Sequence, residues 1–181
     1  MTSATGEFAI VALSGSELQS THTYVRTPSA VRQTLTAEPL LRFELRFENG
    51  ELVTAQLNGS GSEPTSLWHV LASLQRLAAL SPGWDSYGAK PLNPSAVRRA
   101  LNLLPLLLPE YAPEPSVVPT RDGGVQFEWH RRGIDLEVKV PPTGPISYLV
   151  ADAERGEERE WEGTLERDTI SAAFVRMSAV G

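Results

Sequence analysis

Alternation of apolar and polar residues is the first pattern in this chain. Residues 41–48 read Leu, Phe, Leu and Phe against Arg, Glu, Arg and Glu, which predicts a β-strand with one buried face. Asn49-Gly50 follows, and the alternation resumes over 51–57, so we expect a β-hairpin closed by a two-residue type I′ turn. Residues 8–13 and 21–26 are shorter strand candidates.

A second alternating region predicts an antiparallel meander. Apolar residues occupy every second position over 125–129 and 134–140, and 146–150 supplies a third strand candidate. Residues 111–119 are rich in proline and are expected to be extended. The charged stretch 152–160 lacks alternation and is expected to form a solvated loop or hairpin tip.

Apolar residues at spacings of three and four predict three helices. The first stripe runs over 67–78, and the second covers 94–104, after Asn93-Pro94, a dipeptide typical of a helix start. Pro105 is expected to end or kink the second helix. The third stripe covers 170–177. Because a meander with one apolar face needs a cover, we expect the first two helices to pack on it.

These elements together predict an α+β fold. It comprises an N-terminal β-hairpin unit, two helices packed on an antiparallel β-meander, and a C-terminal helix. The glycine- and serine-rich stretch 58–63 is the best candidate boundary, which divides the chain into an N-terminal β subdomain (1–62) and an α+β subdomain (63–181).

Composition excludes several classes of function. The formal net charge of −6 is unfavourable for a non-specific binder of nucleic acid or anionic membrane. The chain has no cysteine, which excludes disulfides, thiolate zinc sites and a cysteine nucleophile. We expect no signal peptide, because residues 1–6 lack a basic region and a long apolar region, and the longest apolar run is too short to span a bilayer. We therefore expect a cytoplasmic protein that needs no membrane, metal or cofactor.

The segment 83–91, Gly-Trp-Asp-Ser-Tyr-Gly-Ala-Lys-Pro, is the most informative stretch of the chain. Its glycines and proline predict a connector of fixed shape between the first two helices. We interpret Asp85 as a cap for backbone amides, with Trp84 and Tyr87 packed on the sheet. The alternative is that these three side chains line a binding pocket.

Two motifs carry a resemblance to a known group of proteins. The segment 83–91, the helix that follows it, and Asp-Gly-Gly-Val-Gln-Phe-Glu-Trp at 122–129 resemble a group of small bacterial proteins with a GWDxYGAxP motif followed by a DGGVxxEW strand motif. The resemblance covers about 82–150. It implies that the two motifs belong to one structural unit, and it implies no activity.

Other candidate chemistry lies on the predicted meander. Glu128 and His130 share one strand face, with Asp135 or Glu137 opposite, so they are candidates for acid/base catalysis or for a solvated sheet face. No helix pattern follows 122–124, so this Asp-Gly-Gly segment predicts a turn rather than a phosphate-binding loop.

We predict a non-enzymatic protein-binding or regulatory accessory module, of a bacterial stress, toxin-neutralising or phage-defence system. The expected partner is another protein, and a second copy of the chain stays open as a partner. The candidate binding residues are Trp84, Asp85, Tyr87, Glu128, His130, Arg131 and Arg132. One alternative is an enzyme that uses Asp85, Glu128 and His130 as an acid/base site. The other is a single-stranded nucleic-acid binder with a patch formed by Arg98, Arg99, Arg121, Arg131 and Arg132.

Overall fold

The structure is a computed structural model that describes residues 9–13, 40–47, 49–58, 65–163 and 166–179. The strand predicted at 21–26 and the glycine-rich boundary after Asn58 lie outside these residues. The elements of the described ranges are β1 (Ala9–Leu13), β2 (Leu40–Arg46), β3 (Leu52–Asn58), α1 (Thr65–Ala78), α2 (Pro94–Leu107), β4 (Ser116–Pro119), β5 (Val125–Arg131), β6 (Ile134–Val140), β7 (Ser147–Asp152), β8 (Glu157–Glu162) and α3 (Arg167–Ser178).

Two antiparallel sheets and three helices confirm the predicted α+β class. The order of strands is β1-β3-β2 in the smaller sheet and β4-β5-β6-β7-β8 in the larger one. Helix α2 contacts β1 and β3 of the smaller sheet and also β5 and β6 of the larger sheet. Buried side chains of both sheets and of all three helices form one continuous core. The division of the chain at 62/63 stays a prediction. No helix among the described residues has the length and apolar character needed to cross a membrane.

The N-terminal hairpin forms as predicted, but its turn is different. Leu45 and Phe47 are buried and Phe43 is half-buried, whereas the charged residues between them are exposed. The amide of Phe47 donates to the carbonyl of Glu51 at 2.9 Å, so three residues lie inside the loop, and the amide of Gly50 donates to the carbonyl of Phe47 at 2.9 Å. Gly50 has a positive φ of 83°, but Asn49 lacks the positive φ that a type I′ turn also requires there, so the predicted two-residue turn is wrong. A three-residue loop needs one left-handed residue, and Gly50 supplies it.

Pro105 does not end helix α2. The helix begins at Pro94, with the side chain of Asn93 accepting a hydrogen bond from the Ser95 amide at 2.8 Å, and it continues to Leu107. Leu104 and Leu107 are fully buried on either side of the exposed proline. Their burial offsets the one backbone hydrogen bond that proline removes.

The larger sheet has two strands more than the predicted meander. The added strands are β4, within the expected extended stretch, and β8, within the charged stretch. The expectation of a solvated loop or hairpin tip over 152–160 is therefore wrong for 157–160 and for Asp152, which ends β7 and is buried. Residues 153–156 form the tip of the hairpin between β7 and β8. Strand β8 is an edge strand that is mostly exposed, so burial imposes no alternation on its sequence.

Candidate functional site

The connector turn, residues 83–91, joins α1 to α2 and is closed by its own backbone. The amide of Gly83 donates to the carbonyl of Ala89 at 2.8 Å, and the amide of Ser86 donates to the carbonyl of Gly83 at 2.8 Å. Gly83, Ser86 and Gly88 all have positive φ angles. A non-glycine residue such as Ser86 adopts this conformation only where surrounding contacts hold it. The connector turn therefore has a defined shape, as the sequence predicts.

The carboxylate of Asp85 stabilises the connector turn by accepting hydrogen bonds from its backbone amides. Its Oδ1 accepts hydrogen bonds from the amides of Tyr87 at 2.8 Å and Ala89 at 3.0 Å, and its Oδ2 lies 2.8 Å from Nε of Arg121. The Ala89 amide is the largest cause of a lowered pKa at Asp85, and the Tyr87 amide and the Arg121 guanidinium act in the same direction. The side chain is 14% exposed. The prediction that Asp85 caps backbone amides is confirmed.

Arg121 joins the connector turn to the turn that precedes β5, residues 120–124, called here the DGG turn. Nη2 of Arg121 donates to the carbonyl of Tyr87 at 3.0 Å, and its backbone carbonyl accepts from the Lys90 amide at 2.9 Å. A Cβ on Gly123 would lie 2.7 Å from the carbonyl oxygen of Pro91, so only glycine permits this contact. The two motifs of the sequence resemblance are thus in direct contact, while membership of the group stays a prediction.

The two aromatic side chains of the connector turn have different environments. Trp84 is half-buried, and its indole Nε1 donates to the carbonyl of Lys90 at 3.2 Å. Tyr87 is 82% exposed, and the guanidinium carbon of Arg121 lies 5.9 Å from the centre of its ring. The expectation that Tyr87 packs on the sheet is wrong, because the closed backbone directs this ring outwards. Packing of Trp84 on the sheet stays a prediction.

A cleft of about 370 Å³ borders the far end of the connector turn. Its lining includes Phe47 of the N-terminal hairpin, Leu80 after α1, and Lys90 to Leu92. Asp85 and Tyr87 do not line it, so the predicted pocket of Trp84, Asp85 and Tyr87 is not present at this cleft.

Glu128 and His130 lie together on the face of the larger sheet that points away from the helices. Nδ1 of His130 is 2.8 Å from Oδ1 of Asp135, and its Nε2 is 3.7 Å from Oε2 of Glu128. The hydrogen bond with Asp135 is the main cause of a raised pKa at His130. The imidazole is 52% exposed, so these contacts lie in solvent rather than in a pocket.

The structure does not bring Asp85 to Glu128 and His130. Asp85 contacts Arg121, which precedes the start of β5 at Val125. At a rise of about 3.3 Å per residue, His130 lies roughly 16 Å further along the same strand. Within the described ranges, no group of three His, Asp or Glu residues has the arrangement of a metal site.

The predicted arginine patch is likewise dispersed. Arg98 pairs with Glu51 of the hairpin, and Arg99 donates to carbonyls of the loop between β6 and β7. Arg121 lies at one end of β5, whereas Arg131 and Arg132 lie at the other. The single positive face that nucleic-acid binding requires is therefore not formed by these five residues.

Arg121 is the residue that sequence reasoning placed in the wrong context. It was assigned to an arginine patch, but it is the partner of Asp85. Arg121 directly precedes the second motif, which begins at Asp122. This position next to the motif is the feature of the sequence that indicates a link to the connector turn. Comparisons with models of protein families, with curated proteins and with solved structures found no match.

Proposed function

We propose that this chain is a non-enzymatic protein-binding module that engages its partner through the connector turn. One observation carries the proposal. Tyr87 is 82% exposed, yet the backbone on both sides of it is held by Asp85 and Arg121. A large aromatic side chain is thus presented to solvent on a turn of fixed shape.

Binding energetics favour such an arrangement. Tyrosine and arginine are enriched among the residues that dominate protein interfaces, and Tyr87 and Arg121 lie side by side here. Because the turn is already ordered, a partner that covers Tyr87 does not have to order the backbone beneath it. The phenol can hydrogen-bond the partner while the ring supplies apolar contact.

The dispersal of the acid/base candidates supports a binding role over catalysis. Both carboxylate oxygens of Asp85 are engaged in contacts that hold the turn, and the carboxylate is remote from His130 along β5. His130 in turn lies on an open surface that does not exclude water.

The proposal also includes a biological system, a cellular location and a class of partner. A role in a bacterial stress, toxin-neutralising or phage-defence system rests on the small size and acidic composition of the chain. The cytoplasmic location rests on the sequence expectations alone. Another protein is the proposed partner, and a second copy of the chain is the competing one.

Site-specific photo-crosslinking tests the proposal. A benzophenone amino acid is placed at Tyr87 or, as the control, at Tyr111, which is also exposed, at 46%, but lies on the loop after α2. We expect position 87 to crosslink one specific protein in cells of the source organism, and position 111 not to do so. Equal labelling at both positions, or none at position 87, contradicts the proposal.

Binding of the purified partner then separates recognition from folding. Replacing a central interface tyrosine by alanine costs about 2 kcal/mol or more, so Tyr87→Ala is expected to weaken binding roughly thirtyfold. Its thermal midpoint should stay unchanged because the ring buries little surface. Asp85→Ala should lower both affinity and thermal midpoint, since it releases the turn that positions Tyr87. An unchanged affinity in Tyr87→Ala would refute the role of this residue.

A further inference from the structure

The larger sheet has one face that none of the described helices covers. Phe127, Trp129, Leu136 and Val138 point to the covered face and are buried, and Trp129 packs edge-on against Phe174 of α3 at 5.1 Å. The residues between them point to the opposite side, which we call the open face. On the four strands β5 to β8 its members are Gln126, Glu128, His130, Asp135, Glu137, Lys139, Ser147, Leu149, Ala151, Glu158, Glu160 and Glu162.

Charge on the open face is strongly one-sided. Strands β5, β6 and β8 all contribute carboxylates, and the basic groups among its members are Lys139 and His130. His130 is already engaged with Asp135 and Glu128. The open face is therefore acidic on β5, β6 and β8.

The strand register places like charges directly beside one another. Glu128 on β5 is opposite Glu137 on β6, and the next two positions of the same row are Leu149 on β7 and Glu160 on β8. The amide of Gln126 donates to Glu128 at 2.9 Å and to Glu137 at 3.1 Å, but it adds no positive charge. Directly opposed like charges destabilise an antiparallel pair. The opposed pair of Glu128 and Glu137 thus disfavours folding, and a cation laid across it would relieve the repulsion.

We infer that the open face binds an arginine- or lysine-rich segment of a protein partner. Neighbouring strands are about 4.8 Å apart, so cationic groups laid across the sheet can reach Glu128 and Glu137 together and Glu160 beyond them. Leu149 is half-buried in the middle of the row and offers apolar contact to the aliphatic stems of arginine or lysine. The surface is distinct from the connector turn, and the inference does not depend on Tyr87.

A synthetic peptide of alternating arginine and serine is the probe, with alternating glutamine and serine as the neutral control. The test variant is Glu137→Gln with Glu160→Gln. The control variant is Glu110→Gln with Asp168→Asn, which changes the net charge equally at exposed positions outside the open face. Affinities are measured by fluorescence anisotropy at low salt, and urea unfolding verifies that both variants fold.

The two variants remove the same amount of negative charge, so a difference in peptide affinity between them reports on where the charge lies. We expect the test variant to weaken peptide binding roughly threefold to tenfold and the control variant to change it less than about twofold. In an NMR titration with the peptide, the amide chemical shifts of Glu137, Leu149 and Glu160 should change, and those of α2 should not. Equal weakening in both variants, shifts spread over the whole surface, or no binding by the unmodified protein would overturn the inference. Failure of the Tyr87 crosslink leaves this experiment unaffected, so the two proposals fail separately.

Discussion

Leu136 and Glu137 are neighbours on β6, yet they belong to regions of opposite character. Leu136 is 0% exposed, on the covered face beneath the helices, and Glu137 lies on the open face, opposite a second glutamate. Burial explains the apolar residues of the covered face, because each of these side chains stabilises the fold through the surface that it removes from water. The open face contains a charge arrangement that burial does not explain. One strand thus has a face whose residues are fixed by burial and a face on which burial imposes no such constraint.

Leu136→Ala gives the largest expected effect and tests the covered face. The substitution removes a fully buried side chain from between the sheet and the helices, so we expect a loss of about 2–5 kcal/mol in the free energy of unfolding. Urea unfolding measures the loss. Leu149→Ala on the open face is the matched control and should cost much less, because Leu149 is only half-buried. If Leu136→Ala lowered the free energy of unfolding by well below 1 kcal/mol, Leu136 would not be a core residue and the two faces would not differ as described.

Glu137→Gln makes the corresponding test on the open face. The substitution removes one member of the opposed Glu128 and Glu137 pair while it keeps a carbonyl oxygen that can accept from Gln126. We expect the free energy of unfolding to stay constant or to rise by about 0.2–0.5 kcal/mol, since like charges directly opposite destabilise a sheet. A loss of more than about 1 kcal/mol would mean that Glu137 is a structural residue.

Covered elements were predictable because burial leaves a period in the sequence. The alternation over 125–129 and 134–140 and the apolar stripes of the three helices are all buried in the structure. Strand β8 was not predicted because it lies at the edge of the sheet, where all its residues except the half-buried Trp161 are exposed, so its sequence shows no period. The length of the hairpin turn was missed because Asn49-Gly50 suits two kinds of loop, and the closure at Phe47 and Glu51 decides between them.

The candidate site was predictable only within its local segments. Asp85 could be identified as a cap because its amide donors, at Tyr87 and Ala89, are two and four residues away. Its third partner, Arg121, is 36 residues away in the chain, and no periodicity connects them. The exposure of Tyr87 follows from this long-range contact together with the closed backbone, so it too was outside the reach of sequence patterns.

His130 gives the smallest expected effect, a pH dependence that originates on the open face. The contact with Asp135 raises the pKa of His130, so the folded state binds the proton more tightly than the unfolded state, whose histidine has a pKa of about 6.5. The resulting stability is fully present below the unfolded pKa and is lost as pH rises through the folded pKa. We therefore expect the unmodified protein to exceed His130→Gln in stability by more at about pH 5.5 than at about pH 8.5. Since the imidazole is 52% exposed, solvent screening limits the difference to a few tenths of a kcal/mol. Urea unfolding of both proteins at the two pH values measures it, and His22 and His69 cancel because both proteins contain them. A difference that is equal at both pH values, or larger at the higher one, would show that the Asp135 contact does not hold the proton on His130.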